Sequence, residues 1–294
     1  MPQPPSNDAA AQQLIDVYRQ AQASLERQLA AIIDDPSRAG QASKIRKLIA
    51  TTKATIAGLT QATADWLTGT LPEIHALGGQ FAAEALGHDF AWTLPHQEAV
   101  QELATRTFTD VAENLQDIDQ STRAALRSWA EDSTRAGLLE SQTAVQAGKD
   151  MARVAADQGM FSVTYSNGAT HAMADYAETV VRTTTATAYN RGSVTQCRED
   201  GIEYVQYADG PDCGVDGHDD DTLADGLIVA LDDVIDISHP NCRRAMLPVV
   251  DGAVPDGVDA SVGPERTPLA APAPKATRQP RQARQPRTPR TAAS

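Results

Sequence analysis

Cys213, His218, His239 and Cys242 are the residues of this chain best suited to chemistry. They fall into two close pairs, Cys-x4-His and His-x2-Cys, with twenty residues between His218 and His239. Two thiolates and two imidazoles make a tetrahedral zinc set, and a two-pair layout lets separate loops share one ion. Four protein ligands leave no position for water, so such a zinc would be structural. A second reading needs no metal: both thiols are small buried groups, and His239 bonds carbonyls around Pro240. The acidic residues give a third. Ten aspartates lie between Asp209 and Asp236 with no Lys or Arg among them. Asp219, Asp220 and Asp221, with Asp212 or Asp216, offer oxygen ligands to a hard cation, either structural or part of a metal-dependent nuclease. A solvated acidic loop fits the same run. Ion pairing is a further reading: Arg182, Arg243 and Arg244 pin these carboxylates to a long helix. Arg182, with five donors in a planar fork, is expected to point from that helix into the Cys/His segment.

The elements that must position these residues are mostly helical. Ser6-Asn7-Asp8 supplies cap residues for a first helix whose apolar face is Leu14, Tyr18, Ala21, Leu25, Leu29 and Ile32. A second is expected over about 41–67, with Ile45, Leu48, Ile49, Thr52, Ile56 and Leu59 on one face. Short loops make long amphipathic neighbours antiparallel. Leu71-Pro72, Gly78-Gly79 and Gly87 are expected to break the next region into short pieces. Pro95 opens a third helix with the stripe Val100, Leu103, Phe108, Val111, Leu115 and Ile118. Helical pattern resumes over 121–156 through Leu126, Trp129, Leu138, Leu139 and Val145. His75, His88 and His96 read as surface or capping residues. Then the period changes. Phe161 to Tyr165 alternates and meets Ser166-Asn167-Gly168, a strand and a tight turn. A helix from about Thr170 to Asp200 carries Tyr176, Arg182, Asn190 and a buried thiol at Cys197. Three short strands follow, at 203–208, 227–231 and 245–250.

Composition bounds the function. The 294 residues are 41% hydrophobic and only 4% aromatic, with a net charge of −14. Seven basic residues against one acidic residue give the last thirty a charge of +6, so the rest carries −20. A globular nucleic-acid-binding body is disfavoured and a separate basic arm is favoured. In that arm Arg278, Arg281, Arg284, Arg287 and Arg290 recur every third residue among prolines. Residues 251–294 are expected to be disordered alone; as polyproline II the five arginines share one edge, suited to nonspecific contact with a nucleic-acid phosphate backbone. An odd count of three cysteines argues against a disulfide framework. The first residues lack the regions of a signal peptide, and no apolar run is long enough for a membrane span.

From Phe161 to Val250 the residues resemble the Mu-F-like minor head proteins of tailed bacteriophages, the head morphogenesis family. The likeness runs through Tyr176, Arg182-Thr183, Ala188-Tyr189-Asn190-Arg191-Gly192, Asp212-Cys213, His218 and the closing His239-Pro240-Asn241-Cys242-Arg243-Arg244. Many members close on His-Pro-x-Cys-Arg-Cys after an earlier Cys-x2-Cys. Here His218 replaces one cysteine and Arg244 another. The resemblance implies a low-copy structural component of the procapsid and virion head, meeting portal, scaffold or major capsid protein, assembled in the host cytoplasm.

The expected fold is therefore α+β, mostly α. It comprises a helical region at 8–156 for portal, shell or scaffold contact, a Mu-F-like module at 157–250, and the tail. The expected role is non-enzymatic. Its rival is a capsid maturation protease or metal-dependent hydrolase, for which adjacent Ser238 and His239 are no nucleophile–base pair by sequence alone.

Overall fold

The computed structural model describes residues 8–35, 37–139, 143–157, 160–165, 168–208, 226–237, 242 and 244–250. These lie in one compact unit, Met1–Ala260; the second unit, Ser261–Ser294, falls outside the described residues.

Five helices dominate: α1 (Asp8–Ile33), α2 (Arg38–Leu86), α3 (Leu94–Leu139), α4 (Ala144–Asp157) and α5 (Met173–Glu199). A hairpin of β1 (Ser162–Thr164) and β2 (Thr170–Ala172) leads into α5. Beyond α5, β3 (Tyr204–Ala208) is central in an antiparallel sheet, with β4 (Ile228–Ala230) and β5 (Ala245–Pro248) at its edges. The mostly helical α+β class is as expected.

The apolar stripe of α1 is buried through Leu14, Tyr18, Leu25, Leu29 and Ile32, and that of α2 through Ile45, Leu48 and Leu59. Burying each such side chain contributes about 1.5–3 kcal/mol. One cluster joins α1 through Tyr18 and α2 through Ile74 to Leu115 of α3, Val163 of β1 and Tyr176 and Tyr189 of α5. The core thus runs unbroken across residue 157.

The expected break between 71 and 87 does not occur: α2 continues through Pro72, Gly78 and Gly79. Leu71 and Ile74 on either side of the proline are fully buried, which offsets its missing donor. The glycines serve packing. A Cβ on Gly78 would meet the Tyr189 carbonyl oxygen at 1.9 Å, and one on Gly192 the His75 carbonyl oxygen at 2.0 Å. So α2 and α5 cross backbone to backbone. The helix ends at Gly87, whose φ of 85° and amide contacts with Ala83 and Glu84 make a left-handed cap.

Two stripe residues face outward. Phe108 is 36% exposed because Thr107 takes the inward position; the ~100° step per residue turns Phe108 away. Val145 is 57% exposed, while Ala147 and Met151 face the core. The helix expected from Thr170 begins at Met173, because residues 170–172 pair back with β1.

Candidate functional site

The second half of α5 is buried on nearly every side, between α2, α3 and the three-stranded sheet. Its polar residues grip the chain on either side of the Cys/His closing motif. Asn190 is fully buried; its Nδ2 donates to the Asp236 carbonyl at 2.6 Å and the Arg244 carbonyl at 2.9 Å. One carboxamide thereby holds both ends of the stretch 237–243. Ser193 adds a bond from its hydroxyl to the Met246 carbonyl at 2.9 Å. Arg191 donates from Nε to Asp236 Oδ2 at 2.9 Å and from Nη1 to Glu102 Oε1 at 3.2 Å. The two carboxylates favour its charged form and more than offset burial. Gly192 completes this run by letting α5 approach α2.

Arg182 is a correction. It pairs with Glu178, one turn back on its own helix, at 2.7 Å, and is half exposed. It lies nine residues before Arg191, about 180° round the helix at ~100° per residue, so it faces away from the closing motif. Arg191 does the linking instead.

Among the described residues Arg244 is the largest fully buried side chain, 2% exposed, with its guanidinium 4.0 Å above the Tyr207 ring. That is a cation–π contact; the acidic residues 209–225 with which the sequence pairs it lie outside the described residues. The Tyr207 hydroxyl in turn accepts the Ile235 amide at 2.8 Å. Cys242 is buried, 2% exposed. Cys197 is fully buried, and desolvation pushes its thiol up to about 12, which makes it an inert packing group. Cys213, His218, His239, Asp212 and Arg243 lie outside the described residues, as do the tail arginines Arg278, Arg281, Arg284, Arg287 and Arg290. Among the described residues no three His, Cys, Asp or Glu side chains cluster to hold a metal.

A polar centre missed by the sequence reading lies where α2, α3 and α5 meet. His75 and His96 are 1% and 0% exposed, and His75 Nε2 lies 2.8 Å from His96 Nδ1. His96 Nε2 is 3.2 Å from Glu199 Oε2 and 3.3 Å from Gln196 Oε1. Gln196 donates to Asp200, which also meets His88 at 3.0 Å. Phe90 and Trp92 close over the pair, Trp92 stacked on His96. Desolvation pushes His75 down to about 3, with the neighbouring His96 adding to it, and also lowers His96. Of the three histidines read as surface or capping residues, only His88 is exposed, its side chain by 40%. The signal was available: His75 follows Ile74 on the buried face of α2, four residues after Leu71.

Among the described residues no helix is long and apolar enough to cross a membrane. No curated protein and no solved structure matches the chain. The family model for phage minor capsid protein 2 matches residues 3–210. The match takes in the helical first half, where the sequence reading had found no likeness, and stops before the closing His-Pro-Asn-Cys. It covers well over half the sequence, so the chain belongs to the phage minor capsid protein 2 family, and its role is a structural one in a phage particle.

Proposed function

We propose that this protein is a minor component built into the procapsid and kept in the virion head. The observation that carries the reading is the family match over residues 3–210, which spans the long helices. In this reading the faces of α1 to α3 meet portal, scaffold or major capsid protein. A single unit with a continuous core across α1, α2, α3 and α5 supports it, because such a body transmits a docking contact without coming apart. Assembly takes place in the host cytoplasm. The closing segment is a small structural unit, with zinc held by Cys213, His218, His239 and Cys242. The basic tail contacts packaged DNA without reading its sequence, through arginines spaced along one edge.

Quantitative mass spectrometry of purified procapsids and virions tests the main claim. A fixed low copy number in both particles is expected; absence from both overturns it. For the tail, full-length protein and a chain ending near Val262 are compared for DNA binding across a salt titration. Loss of weak, salt-sensitive binding on truncation is expected, and equal binding rules the tail out.

A further inference from the structure

A groove runs between α3 and α5 beneath the segment 234–237, and Asp236 divides it into cavities of about 320 and 250 Å³. The smaller is lined by Arg106 and Thr107 of α3, by Thr184, Thr187 and Arg191 of α5, and by Asp236. Several helical threonines satisfy their hydroxyls on the carbonyl four residues back, as Thr179 does on Asp175 at 3.0 Å. Thr184 and Thr187 do not. They are 5% and 4% exposed, line the cavity, and bond no other described residue. Their hydroxyls therefore open onto the cavity, free to donate to or accept from whatever occupies it.

The supply of donors decides what that something is. Arg191 has five N–H groups and uses two, on Asp236 and Glu102. Arg106 lies at the mouth and pairs with no carboxylate among the described residues. Against at least eight guanidinium N–H groups and the Thr184 and Thr187 hydroxyls, Asp236 is the single carboxylate among the described residues that line the smaller cavity. Glu102, 70% exposed, is largely screened by solvent. A donor-rich pocket of this size calls for a ligand that is mostly acceptors and carries negative charge.

We propose that the α3–α5 groove binds a single oxyanion, phosphate or carboxylate, between Arg106 and Arg191 with Thr184 and Thr187 as hydroxyl partners. Phosphate is either free or part of a phosphoryl-bearing molecule; carboxylate is either a small acid or an acidic side chain of an assembly partner. No covalent step is involved.

Thermal unfolding of the full-length protein, titrated with inorganic phosphate, glutarate or chloride at matched ionic strength, tests this. Binding to the folded state raises Tm with saturation. A saturable rise in phosphate but not glutarate assigns a phosphoryl ligand, and the reverse assigns a carboxylate. In Arg106→Gln, an exposed substitution that leaves the helix intact, apparent affinity should fall at least about tenfold. Thr187→Val keeps the volume and removes the hydroxyl, and should weaken binding by a smaller factor. No rise beyond that in chloride, or an equal rise in wild type and Arg106→Gln, overturns the proposal.

Discussion

The Asn190 carboxamide donates to the Arg244 carbonyl at 2.9 Å across 54 positions of sequence, and the same nitrogen reaches the Asp236 carbonyl. The bond to Arg244 is buried and the bond to Asp236 partly so, and Asn190 itself is fully buried. Asn190→Asp puts a carboxylate against two carbonyl oxygens at unchanged volume. It should destabilise the protein by about 3 kcal/mol or more in urea unfolding. Arg182→Lys removes only an exposed i,i+4 pair and should stay within about 0.5 kcal/mol. If the two variants unfold alike, Asn190 does not hold the closing segment.

Glycines in the long helices separate by what stands opposite them. Gly78→Ala and Gly192→Ala each drive a methyl into a facing carbonyl, and each should cost about 1–3 kcal/mol through forced separation of α2 and α5. Gly58, also in α2, has open space around its Cβ position. Gly58→Ala should stabilise the helix by up to about 1 kcal/mol. Chemical denaturation of the three variants checks both sign and size.

These contrasts also show how far the sequence could be read. Stripes such as Leu14 to Ile32 identified α1 because burial follows the helical period. Pro72, Gly78 and Gly79 misled because local propensity speaks for an isolated segment, whereas α5 packs against this one at His75, Gly78, Phe81 and Ala82. Asn190 stood out within its motif, yet its role depends on contacts 46 and 54 residues away, invisible to spacing. Arg182 and Arg191 were interchangeable by type alone; helical phase separates them once the partner face is known. The buried histidines were misjudged because glycine and proline nearby suggested a surface.

Acid should weaken the α2–α3–α5 junction. His75 and His96 are held below the ordinary imidazole range when folded, so the unfolded chain takes up protons first as pH falls. Stability is present above the unfolded pKa near 6.5 and is lost progressively below it, towards about 3 for His75. The slope reaches about 1.4 kcal/mol per pH unit for each histidine kept neutral. His88 has the opposite sign: its bonds to the Asp89 carbonyl and the Asp200 carboxylate raise it, so its small contribution is present in acid and fades as pH rises through its folded pKa. The midpoint of urea unfolding should fall between pH 7 and 5 in the wild type and fall less in His75→Gln. An identical pH profile in the two would remove His75 from the account.

The closing segment gives the last test. Cys242 is buried within the stretch whose ends Asn190 holds, so its thiol sits in a part of the chain fixed to the core. If Cys213, His218 and His239 join it, two thiolates and two imidazoles complete a zinc sphere with no water. Purified protein should then contain about one zinc per chain, and chelation should lower Tm, because the ion binds only the folded arrangement. Cys242→Ser substitutes a poorer ligand of similar size and should abolish both the metal and the chelator effect. A protein of two buried thiols and no metal predicts otherwise: no zinc by elemental analysis, no response to chelator, and a Cys242→Ser variant that loses only the small packing contribution of sulfur. Cys197→Ser is the control, since that thiol lies in α5 far along the chain from the motif and should leave zinc content unchanged whichever account holds.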